Sequence, residues 1–263
     1  MKKIFFVIFL FSCTVFAAEH IAKVEPFEIY SIKSAVSGKV VKSLIDLEGK
    51  SVKNKEIIKI DSYIDEKTLI DLQNKLKNLE DILKIEKESL KNLKKLNEIK
   101  KDNYNRIKNL KTKSKFEKDL KLSDYLNTYN LYLSQKEKIK NLQIQIDDIK
   151  LNIEKTKDIL DKKSIKIDGY IYKIYVKRGD FVNFGSPLVD VADISKAKVV
   201  IYLDKDEMKN IENKKIYING KKTDLKFYKL FKISDPIHIS AYRAEILLNR
   251  PKLFSKLIKV EIK

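Results

Sequence analysis

The chain has 263 residues and a formal net charge of +19, from 56 Lys+Arg against 37 Asp+Glu, with one cysteine and two histidines. That length holds one to three small domains, and a lone cysteine excludes a disulfide within the chain. The basic excess could suit nucleic acid or an anionic membrane, but it is almost all lysine, spread along the whole sequence without any nucleic-acid motif. It reads as bias on solvated faces, and no nucleic-acid partner is expected.

The first eighteen residues read as a targeting segment. Lys2 and Lys3 precede an apolar stretch at 4–16, too short to span a bilayer as a stable helix. Val15-Phe16-Ala17 suits a signal-peptidase site, so the mature chain is expected to start near Ala18 as an exported, soluble protein. Leu10-Phe11-Ser12-Cys13 loosely resembles a bacterial lipobox, although Phe11 is bulky for that pattern. If Cys13 is acylated, the protein is tethered to a membrane by its N-terminus; the other reading is a cysteine inside an ordinary signal.

Residues 21–60 are Val/Ile-rich and alternate as strands do. They contain SGKVVKSLIDLEGKSVKNKEIIKID, with Gly38, Val40, Glu48, Gly49 and Val52 as markers. Residues 65–161 hold neither Gly nor Pro and carry a 3,4-spaced apolar repeat: Leu69, Leu72, Leu76, Leu79, Leu83, Leu90 and Leu93, then Ile139, Leu142, Ile146, Ile149, Ile153 and Leu160. Glu86 and Thr156 each take one slot. Such a repeat specifies a coiled-coil seam with water on its other faces. The register breaks between about Asp102 and Ser123, which places a tip near 111–115 between two antiparallel arms of about 45 residues, on the order of 65–70 Å long.

Residues 164–193 repeat the first motif as DGYIYKIYVKRGDFVNFGSPLVDVAD, with Gly169, Ile171, Arg178, Gly179 and Val182 at matching places and one residue less between the glycines. Neither copy can bury its apolar face alone. Together they predict a flattened β-sandwich, with Val40, Leu44, Val52 and Ile58 facing Ile171, Ile174, Val176, Val182, Leu188 and Val189. Positive φ is expected at the turns of Gly49 and Gly179. Beyond these, 198–203 reads as a strand and 204–211 as a short helix, with Asp204 as N-cap and Glu207 at capping-box spacing. A turn at Asn219-Gly220 and strands at 241–248 and 257–262 complete the chain.

The two motifs bracketing a Gly-free coil behind a signal sequence resemble the periplasmic adaptor, or membrane fusion, proteins of Gram-negative tripartite efflux and secretion systems. The resemblance covers nearly the whole mature chain. It implies an α+β fold: a split lipoyl-like β-sandwich with an inserted long antiparallel coiled-coil hairpin, followed by a small β-barrel domain. The boundaries would be 1–18 for the signal peptide, 21–62 plus 164–193 for the lipoyl-like unit, 63–163 for the hairpin and 194–263 for the barrel. It implies a homo-oligomeric duct, trimer or hexamer, in the periplasm at the inner membrane. The duct would join an inner-membrane transporter, of resistance-nodulation-division (RND) or ABC type, to an outer-membrane efflux channel. The family's tip pattern is an Arg, a Leu four residues on and a Ser seven beyond. Arg106 and Leu110 match it, Tyr104 and Ile107 fit the apolar surround, and Glu117 stands in the place of the Ser, with Ser114 near but out of register. The Gly that usually precedes the last barrel strand is replaced by Phe254-Ser255-Lys256.

Other readings are a lipoyl or biotinyl carrier and an exported coiled-coil scaffold without a transport role. A carrier presents its modified Lys on a tight hairpin between the halves; here the coil takes that place and no Met-Lys-Met or Asp-Lys-Ala triplet occurs. No cofactor, metal or catalytic residue is expected. His20 and His238 lie far apart in sequence, and Ser186 after Gly185 has no nucleophile-elbow pattern.

Overall fold

A computed structural model describes residues 19–263; the segment expected to be a signal peptide, with Cys13, lies outside the described residues. The chain is a mixture of sheet and helix built around one long helical hairpin. Its first strands are β1 (Glu19–Lys33), β2 (Gly38–Ser43) and β3 (Ser51–Ile60). The helices α1 (Tyr63–Ile107) and α2 (Lys115–Lys163) follow. The chain returns as β4 (Ser164–Ile174), β5 (Phe181–Val182) and β6 (Pro187–Leu203). Then come β7 (Ile216–Ile218), β8 (Lys221–Lys222), β9 (Phe227–Ser234), β10 (Tyr242–Asn249) and β11 (Leu257–Ile262).

The two copies of the motif share one core. Val40, Ile57, Ile58 and Ile60 come from before the hairpin, and nine buried residues from Ile165 to Val191 come from after it. Burying the first four contributes about 6–12 kcal/mol at roughly 1.5–3 each, as much as the whole stability of a small domain, about 5–15. The halves therefore depend on each other. β3 pairs antiparallel with β4 across the root of the hairpin, down to Lys59 opposite Ser164. At that root Lys163 Nζ donates to the Asp61 carbonyl at 2.7 Å and pairs with Asp65 in the first turn of α1. The turns at Gly49 and Gly179 have φ of +76° and +103°, where a side chain would be strained.

The helices form because residues 65–161 hold neither Gly nor Pro and because the apolar repeat finds a partner once the chain turns back at 108–114. Leu83, Ile146 and Ile153 are buried in the seam, with the other repeat residues half-buried beside them. Glu86, the charged slot, is met from the other arm. Gln135 Nε2 donates to its carboxylate at 2.6 Å and to its backbone carbonyl at 3.0 Å, and Lys138 pairs with it at 2.6 Å. These bonds hold the Glu86 carboxyl below the usual carboxylate range, the Lys138 hydrogen bond most of all. A polar layer of this kind fixes the register of a coil.

A second core gathers Ala22, Val24, Ala197, Val199, Ile201, Leu203, Ile211, Ile216, Ala244, Ile246, Ile258, Val260 and Ile262. Segment 21–62 thus divides between cores, because Ala22 and Val24 at the start of β1 pack here rather than with Val40. The 193/194 boundary also falls within a continuous strand, β6. β1 and β6 stay hydrogen-bonded along their length, from Val24 opposite Val199 to Lys33 opposite Pro187, and so tie the two cores together. The helix expected at 204–211 does not form. Asp204 and Glu207 do make both capping bonds, at 2.7 and 2.9 Å, but Asn210 turns left-handed (φ +51°) and ends the turns in a single 3-10 turn at Ile211–Asn213.

Candidate functional site at the hairpin tip

The tip is built by capping bonds rather than by Gly or Pro. α1 ends where the Lys108 N–H bonds the Tyr104 carbonyl at 3.0 Å, and Leu110 N–H closes on the Ile107 carbonyl at 3.0 Å. α2 starts on a capping box: Ser114 Oγ accepts from Glu117 N–H at 3.2 Å, and the Glu117 carboxylate accepts from Ser114 N–H at 3.0 Å. Two backbone donors that the helix leaves open are thereby satisfied. Lys113 Nζ also reaches Glu117 at 3.0 Å. The Ser114 N–H, and then Lys113, hold the Glu117 carboxyl below the usual range.

The three residues singled out in the sequence lie on the last turn of α1, the loop and the first turn of α2. No hydrogen bond or ion pair links them to one another among the described residues. Arg106 is exposed, and Leu110 is 45% exposed. The Glu117 carboxylate is turned back to hold the helix start, although the side chain stays about half exposed. Phe116, not singled out in the sequence, is 76% exposed beside it, and Leu120 lies open one turn on. The tip therefore exposes Leu110, Phe116 and Leu120 amid Arg106 and several lysines. Ser114-x-x-Glu117 is the capping-box signal that marks this start in the sequence.

Towards the tip the apolar seam gives way to polar contacts. Lys100 bridges to Asp124 at 3.3 Å, and Thr128 is buried with its hydroxyl donating to the Asp124 carbonyl at 2.8 Å. This is the stretch where the sequence repeat loses register. The two histidines are occupied separately: His20 Nε2 lies 2.8 Å from Glu207, and His238 stacks on Tyr202 and lies 3.2 Å from Asp235. No group of three metal-ligating side chains occurs among the described residues.

No protein-family profile and no curated protein matches the sequence. Solved structures match it well. MacA from Actinobacillus actinomycetemcomitans aligns with a TM-score of 0.69 at 18% identity, over 94% of this chain and 78% of that one. The membrane fusion protein Spr0693 from Streptococcus pneumoniae R6 aligns with a TM-score of 0.62 at 10% identity, over 92% of this chain and 99% of that one. A MacA–MexA chimera carrying the Pseudomonas aeruginosa MexA α-hairpin domain gives 0.57 at 17% identity, over 94% and 80%. The chain has the fold of the membrane fusion proteins.

Proposed function

We propose that the chain is a periplasmic adaptor of a tripartite efflux pump. In this reading the first core is a lipoyl-like unit and the second a small β-barrel domain. Copies of the chain assemble as a trimer or hexamer into a duct between an inner-membrane transporter, of RND or ABC type, and an outer-membrane channel. The hairpin reaches away from the two cores and its tip meets the channel. The transporter supplies the energy, so the chain needs no catalytic residue and is not an enzyme.

The observation that carries the reading is the split unit. Two half-motifs rejoin into one core only because the hairpin between them folds back, and the same whole-chain arrangement recurs in a membrane fusion protein at a TM-score of 0.62. The hairpin α1–α2 occupies the β3–β4 connection, where a carrier domain would present its modified Lys. The apolar, basic tip supports an end-on contact. Deleting the gene and following dye or drug efflux tests the proposal. Dye accumulation on deletion, reversed by the intact gene, is expected, and unchanged efflux would count against it.

A further inference from the structure

The turn between β9 and β10 displays aliphatic side chains that nothing covers. Ile233, Ile237 and Ile239 are 82%, 84% and 84% exposed. The turn is nonetheless braced. Asp235 Oδ1 accepts from the N–H of Ile237 at 2.9 Å and of His238 at 3.0 Å, Asp235 N–H bonds the Ala241 carbonyl, and Ala241 N–H bonds the His238 carbonyl. The His238 ring stacks on Tyr202 with centroids 3.8 Å apart. The isoleucines are held out rather than left loose.

What surrounds the turn suits a lipid surface. Behind the aliphatic tip stand Tyr202, Phe231 and Tyr242, with Arg243 over the Phe231 ring. Residues 226–245 carry Lys226, Lys229, Lys232 and Arg243 against Asp235 and Glu245, the latter paired with Arg243 at 2.6 Å. Aliphatic tip, aromatic girdle and basic flank follow the order in which hydrocarbon, headgroup and phosphate are met at a bilayer.

The register fixes which pole this is. Tyr242 pairs with Leu203 at the end of β6, while β1 runs antiparallel to β6 with Val24 opposite Val199. His20 at the start of β1 bonds Glu207, just past that same end of β6. The turn therefore lies at the pole where β1 begins, at Glu19.

We propose that the β9–β10 turn is a membrane-contact site, with Ile233, Ile237 and Ile239 seated in the interface of an anionic phospholipid bilayer. Lys232 then faces lipid phosphates, while Arg243 stays paired with Glu245. This site does not depend on the adaptor reading or on what the hairpin tip meets.

The sequence has no tryptophan, so one introduced indole reports on one place. In the full chain, Ile237→Trp is expected to shift its emission to the blue on phosphatidylglycerol vesicles and to be quenched by brominated lipid. Phe116→Trp, at the other end of the molecule, should stay unchanged. Replacing Ile233 and Ile239 by Asn in the Ile237→Trp chain should weaken the vesicle partition on the order of 100-fold, and phosphatidylcholine vesicles should bind far less. Water-like emission at position 237 on anionic vesicles would overturn the site, and would be the outcome if a protein surface covers the turn instead. A blue shift that survives the two Asn replacements, or that Phe116→Trp shares, would overturn it too.

Discussion

Val40 and Ile171 hold the same place in the two half-motifs, and each bonds the glycine turn of the other half. Val40 donates to the Asp180 carbonyl and accepts from Gly179 N–H, both at 2.8 Å. Ile171 donates to the Lys50 carbonyl at 3.0 Å and accepts from Gly49 N–H at 2.9 Å. The repeat is thus a reciprocal clasp: each copy supplies the strand residue that the other copy's turn needs.

The clasp tolerates little change at its glycines. A Cβ at Gly169 would lie 2.8 Å from Val191 Cγ1, on a backbone with φ of +146°. Gly179 also has positive φ, but nothing lies within 4 Å of its would-be Cβ. Gly169→Ala is expected to cost about 2–5 kcal/mol, strain and overpacking together, and Gly179→Ala about 1–3 from strain alone. Urea unfolding of the two variants measures the difference.

Ser255 sits at φ +66°, within the Phe254-Ser255-Lys256 stretch that stands where the resemblance implies a Gly. Its N–H bonds the Val24 carbonyl at 2.7 Å, so the conformation is fixed by the sheet. Ser255→Gly should relieve the left-handed backbone and stabilise by about 0.5–1 kcal/mol after the added chain entropy of Gly is subtracted. Thermal unfolding should show a higher Tm, and Ser255→Val a lower one.

At the tip, Ser114→Ala removes the oxygen that caps α2 and should cost about 1 kcal/mol locally. Faster amide exchange is expected at residues 115–118, with little change near Ile153. Equal exchange in both chains would mean that the capping box does not hold the tip.

Glu56 joins both halves, accepting from Ser164 Oγ at 2.6 Å and Lys42 Nζ at 2.9 Å. These bonds, Ser164 first, hold its carboxyl below the usual range. A carboxyl lowered in the folded state binds its proton less readily there than in the unfolded chain. Its contribution is full above the unfolded value, about 4.3, and is lost as pH falls through the folded one. Stability should therefore drop below about pH 4.3, and Glu56→Gln should drop less over that range than the parent chain.

The parts of the fold that showed in the sequence are those written as periodic patterns. The 3,4 spacing of Leu69 to Leu93 announces a seam, and the paired markers around Gly49 and Gly179 announce two matching turns. What did not show depends on long-range pairing. Nothing local says that Ala22 and Val24 leave Val40 for another core, because that follows from the pairing of β1 with β11 and β6. The capping boxes teach the same lesson from opposite sides. Asp204-x-x-Glu207 makes its bonds but leads no helix, since Asn210 turns left-handed three residues after Glu207. Ser114-x-x-Glu117 leads a 49-residue helix because α1 waits to receive its apolar face. At the tip the sequence singled out Arg106, Leu110 and Glu117, but the capping role of Glu117 and the exposure of Phe116 needed the three-dimensional turn.

What the tip touches decides whether the chain is an adaptor. A photo-crosslinking residue placed at Leu110 in living cells, with a second at Ile159 near the hairpin root as reference, tests it most directly. The expected result is one covalent adduct to an outer-membrane channel protein from position 110 and none to that protein from position 159. No channel adduct at 110, or the same adduct from both positions, would contradict it.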